Sequence, residues 1–157
     1  MPLEERPLIT AEALGGFFAV TAFEPRASFY NALRERGAET LSIRWTWLAM
    51  VQFAVDFAVQ GMKGRSPSAL DVEAEMIAAI KASGVDSDQD LGELERRMSA
   101  YGQLVSQRAS SLEIGQVLAQ QSGADITNPA ALFGLGQELL NLVTDVNTKF
   151  MLFEVQN

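Results

Sequence analysis

The chain is predicted to be all-α, with about six helices. They comprise an apolar central helix at about residues 40–60 that the others pack against, and a long antiparallel hairpin at the C-terminus. Three observations lead there. No segment alternates apolar and polar residues at period two for long enough to make a strand, whereas spacings of three and four recur along the chain. The five prolines fall near candidate element boundaries or in the N-terminal tail, which leaves room for long helices. The stretch Trp45 to Gln60 is apolar on most of its circumference, and such a helix must be surrounded.

Thr10 can cap a first helix reaching about Ala22, with Leu14, Phe17, Phe18 and Thr21 on one face and Gly15-Gly16 weakening it. The break at Glu24-Pro25 opens a second helix, with Phe29, Ala32 and Leu33 inward and Gly37 as its stop. In the third helix, Gln52, Asp56, Gln60 and Lys63 fall on a polar strip about 80° wide at 100° per residue. Leu41, Trp47, Leu48, Met50, Val51, Phe53, Val55, Phe57 and Val59 cover the rest.

Residues 61–67, Gly-Met-Lys-Gly-Arg-Ser-Pro, read as a connection and a hinge within one domain spanning 1–157. Ser68 begins a fourth helix with Asp71 in a capping-box-like position and Leu70, Ile77 and Ile80 inward; Ser83-Gly84 ends it. From Asp90 to Gln121 a long helical stretch carries a heptad-like seam of Leu91, Leu94, Met98, Tyr101, Val105 and Leu112. Arg108 interrupts that seam, and Ser110 with Glu113 forms a second capping box at which the stretch can kink or restart. Asn128-Pro129 starts the last helix, to about Glu154, on a seam of Leu132, Leu135, Leu139, Leu142, Val146, Phe150 and Phe153. The short turn between the last two helices predicts an antiparallel hairpin with arms approaching about 40 Å.

Charge and composition narrow the chemistry. Residues 1–65 carry 7 basic and 7 acidic groups, so the formal charge of −8 resides in the remainder, with 5 basic and 13 acidic. That segment repels a phosphate backbone, and no basic stripe exists beyond Arg34, Arg36 and Arg44; nucleic-acid binding is not expected. With no cysteine and no histidine, disulfides, thiolate nucleophiles, imidazole ligands and a histidine base are excluded. No cofactor is expected. The start of the chain lacks the pattern of a cleavable signal, and the uncharged run Trp45 to Val55 is shorter than the roughly 20 residues that span a bilayer. A cytoplasmic protein without a transmembrane segment is expected, export without a cleavable signal being the other route.

The loop Asp86-Ser87-Asp88-Gln89-Asp90 resembles the start of a calcium loop but has Leu91 where that loop needs glycine and Arg97 where it needs a bidentate glutamate. It reads as a solvated loop whose carboxylates favour the positive end of the next helix. Asp71 with Glu75 and Asp90 with Glu93 are the weak candidates for a carboxylate-held metal; each pair is expected to face water. Gly134-Leu135-Gly136 lacks the third glycine of a dinucleotide loop and instead lets another helix approach closely.

Asp56, in so apolar a setting, is either an acid with a raised pKa or a member of the polar strip that meets solvent or an arginine such as Arg44 or Arg108. Trp45, Trp47, Phe53 and Phe57 are core residues in the simplest reading and otherwise a ligand pocket or a binding hot spot. These features imply a non-enzymatic helical interaction or assembly protein: a secretion-related subunit, chaperone or inhibitor-type partner that meets another protein or itself through helical faces. The alternatives are a helical bundle with an aromatic small-molecule pocket around Trp47 and Phe53, and a metal-dependent hydrolase using Asp71, Glu75, Asp90 and Glu93.

Overall fold

In the computed structural model, which describes residues 6–62, 68–84 and 91–156, the chain is all-α apart from one pair of three-residue strands. The elements are β1 (Leu8–Thr10), α1 (Ala11–Phe23), α2 (Ala27–Arg34), α3 (Thr40–Met62), α4 (Ser68–Ser83), α5 (Leu91–Ser106), α6 (Ser111–Ser122), α7 (Pro129–Leu152) and β2 (Glu154–Gln156). β1 and β2 pair in parallel, with Ile9 opposite Val155. This pairing escapes a search for alternation because three residues are too few to show a period. Among the described residues no helix is long and apolar enough to cross a membrane.

The caps lie where side-chain chemistry places them. Thr10 accepts from the Ala13 amide at 3.0 Å, Ser110 from Glu113 at 3.2 Å, and Asn128 from Ala130 and Ala131 at 2.8 and 3.3 Å. The Ser110 cap is where the long helical stretch over 90–121 restarts, dividing it into α5 and α6. α5 closes with Arg108 in the left-handed region, φ 55°, while the Ala109 amide reaches back to the Leu104 carbonyl. The chain therefore has seven helices among the described residues, and the C-terminal hairpin has unequal arms: the 12 residues of α6 against the 24 of α7. α5 packs chiefly on α3. Of the connection read at 61–67, Gly61 and Met62 belong to α3 and residues 63–67 lie outside the described residues.

α3 is the centre. It packs against α1, α2, α4, α5, α6 and α7, and Ile43, Thr46 through Val55, Ala58 and Val59 are buried. The chain's own helices enclose most of the apolar helix, leaving Leu41 and Phe57 as its exposed large apolar side chains. Two glycine-mediated helix pairs flank it. In α6–α7, a Cβ on Gly115 would overlap the Leu132 carbonyl oxygen and one on Gly136 the Ser111 carbonyl oxygen, so the antiparallel backbones touch. In α1–α4, a Cβ on Gly15 would lie 2.7 Å from the Val72 carbonyl oxygen. Gly15, read as a weakness of the first helix, is the condition for its packing.

Two inward faces differ from those expected. α4 turns Ala69, Val72, Met76 and Ile80 inward and leaves Leu70 and Ile77 48% and 37% exposed. α1 buries Leu14, Gly15, Phe18, Ala19 and Ala22 but leaves Phe17 exposed. On α1 the contact face includes Gly15, Ala19 and Ala22, and Gly15 lets α4 approach closely; on α4 the inward stripe Ala69, Val72, Met76 and Ile80, spaced by threes and fours, runs beside the one that carries Leu70 and Ile77.

Candidate functional site

The five aromatic and acidic positions singled out on α3 separate into distinct environments. Trp47 is core: it lies under the Phe29 ring at 5.2 Å and donates its indole N–H to the Thr21 carbonyl at 2.7 Å. Phe53 is buried between Tyr101 and the half-exposed Phe57, at 5.8 and 5.7 Å. Trp45 borders a cavity of about 90 Å³ with Ala22, Phe23, Leu41, Arg44 and Leu48, and its buried indole N–H has no hydrogen-bond partner. No described cavity is lined by Trp47 or Phe53.

Asp56 meets neither Arg44 nor Arg108. Its carboxyl group hydrogen-bonds with Glu73 of α4, whose pKa is pushed up to about 7 by burial first and by the hydrogen bond and charge of Asp56 next. A folded-state pKa above the unfolded 4.5 means that the native state holds a proton that the unfolded chain releases. Stability is therefore highest below pH 4.5 with respect to this group and declines as pH rises toward about 7. Glu73→Gln should remove that decline: thermal melts should show the variant above the wild type at pH 8 and the gap closing by pH 5. A constant gap would mean the carboxyls do not share a proton.

A buried polar network, unanticipated from the sequence, joins α3, α5 and α6. Arg97 is 8% exposed; its guanidinium donates to the Glu93 carboxylate at 3.2 Å, the Thr46 hydroxyl at 2.9 Å and the Gln121 carbonyl at 3.4 Å. Ser122 also donates to Thr46, at 3.0 Å, and the Thr46 hydroxyl itself donates to the Ser42 carbonyl at 2.9 Å. Hydrogen bonds from Arg96 and then Arg97 hold the Glu93 carboxyl below its usual range, and burial pushes the Tyr101 phenol up. One signal pointed to Arg97: with Leu94 and Tyr101 it lies on the inward face of α5, where an arginine needs partners.

The weak metal candidates do not come together. Asp71 and Glu75 are exposed on α4, Glu93 is paired with Arg96 and Arg97, and Asp90 lies outside the described residues. Among the described residues no three carboxylates form a group that could hold a metal ion.

An open, mainly apolar groove of about 340 Å³ lies between α1 and α7. Phe17, Phe18, Leu142, Val146 and Leu152 line it, with Arg26, Asp145 and Lys149 also on its walls. Arg26 is tied to Glu138 and Asp145 at 3.3 and 3.1 Å, and the Lys149 ammonium sits 4.9 Å from the centre of the Phe17 ring. No family model, curated protein or solved structure matches this chain.

Proposed function

We propose that the chain is a non-enzymatic helical interaction or assembly protein of the cytoplasm, which receives an amphipathic helix of a partner protein in the groove between α1 and α7. The observation that carries this reading is the open apolar lining. Phe17 and Leu152 are each 47% exposed at the groove, and Val20 and Met151, near them in sequence, are 66% and 72% exposed. Large apolar side chains grouped in this way mark interaction sites. Because α3 is covered by its own chain, the docking surface moves off the apolar helix to α1 and α7. Lys149 supplies a cation beside the lining, so the complementary helix carries a carboxylate next to its apolar stripe.

The test is affinity capture from the native host followed by cross-linking, with wild type, Phe17→Glu, Leu152→Glu and Phe133→Glu, the last away from the groove. Both groove variants should melt like the wild type and lose the partner, while Phe133→Glu keeps it. A partner retained by the groove variants, or no partner at all, removes this reading. The groove volume also suits a small apolar molecule, which favours the ligand-binding alternative in a different place from the aromatic cluster first considered. Native mass spectrometry showing a bound small molecule in place of a protein would select it.

A further inference from the structure

α4 has a second apolar strip, turned toward solvent. Leu70 and Ile77 are seven residues apart with the exposed Ala74 between them, and Lys81 is four residues beyond Ile77. At 100° per residue these four positions fall within about 60° of one another. A strip with this spacing is what two helices use to pack side by side. Apart from the half-buried Glu73, which is engaged with Asp56, its charges are segregated along the helix: Asp71 and Glu75 toward the N-terminus, Lys81 in the last turn. All three are exposed, and none forms an ion pair among the described residues.

We infer that this strip is self-complementary and joins a second copy of the chain about a two-fold axis, α4 antiparallel to α4. With the axis between Ala74 and Ile77, Ala74 of each copy lies against Ile77 of the other, a small residue facing a branched one. Leu70 then lies beneath the methylene stem of Lys81 of the second copy, whose ammonium reaches Asp71. The antiparallel arrangement also sets each helix N-terminus beside the opposing C-terminus, which the macrodipoles favour. A parallel arrangement fails electrostatically, because it brings Lys81 to Lys81 and Asp71 to Asp71. The occupant is a second copy because the exposed, unbridged Asp71 and Lys81 lie at opposite ends of the strip, so that the helix is charge-complementary to itself when antiparallel. The inference is independent of the groove between α1 and α7, which lies on other residues. One helix face buries less than a standard interface, so the dimer should dissociate at micromolar concentration.

Sedimentation velocity over a concentration series, run on the whole chain, tests this. The wild type should shift from monomer to dimer, and Ile77→Asp should stay monomeric with an unchanged helical spectrum. Asp71→Lys and Lys81→Asp should each weaken the dimer roughly tenfold, and the two together should restore it. That rescue separates a specific contact from a general loss of folding. Phe17→Glu should leave the dimer intact. A wild type that is monomeric throughout overturns the inference, as does a dimer insensitive to Ile77→Asp or charge variants that show no rescue.

Discussion

Gly115→Ala and Gly136→Ala should each cost about 3 kcal/mol and lower Tm by roughly 6–12 °C, while Gly134→Ala should leave stability equal or up to about 1 kcal/mol higher. All three sit inside helices, where alanine is the better helix former. The difference is what the new methyl meets. At Gly134 nothing lies within 4 Å, whereas at the other two the methyl would occupy the position of a carbonyl oxygen on the facing helix. A carbonyl in a helix cannot turn away like a flexible side chain, so α6 and α7 must separate. Separation would also loosen the Leu135 and Leu139 contacts that seat α7 in the core. Thermal and urea melts of the three variants decide the matter: a Gly115→Ala protein as stable as Gly134→Ala would show that the backbones are not in contact.

The second large effect is expected at Thr46. Thr46→Val keeps the shape of the side chain but removes the acceptor that serves both Arg97 and Ser122, all in a buried setting. Leaving those donors unpaired should cost about 2–3 kcal/mol. Thr46→Ser, which keeps the hydroxyl and loses only a methyl group, should cost about 1 kcal/mol. Urea unfolding midpoints compare the two directly. Equal losses in both variants would mean that Thr46 contributes by packing alone and that the Arg97 charge is balanced by Glu93 without it.

How far each part was legible depends on whether its cause is local. Caps at Thr10, Ser110 and Asn128 were readable because the side chain and the amides it serves lie within three residues. The α7 seam was readable too: Leu132, Leu135, Leu139, Leu142, Val146 and Phe150 are all buried. On α1 and α4 the same reasoning chose the largest apolar side chains as inward and misplaced Phe17, Leu70 and Ile77. Periodicity shows that a helix has an apolar side. It does not show whether a neighbour approaches over large residues or over glycine and alanine.

The candidate site follows the same division. The sequence marked Asp56 as a carboxylate in apolar surroundings but had no means of pairing it with Glu73, 17 positions away across a connection. Trp45, Trp47, Phe53 and Phe57 look equivalent in sequence, yet one has an unpaired indole, one hydrogen-bonds α1, one is buried and one is half exposed. By itself the sequence determined the all-α class, the helix starts, the central position of the apolar helix and the absence of histidine and cysteine chemistry. These depend on composition and on neighbours a turn or two away. Only the tertiary structure decided what covers that helix, which glycines are contacts, where Arg97 finds its partners and which apolar faces stay open. Each is a relation between segments distant in the chain, and the choice among competing partners is made by packing the whole core at once.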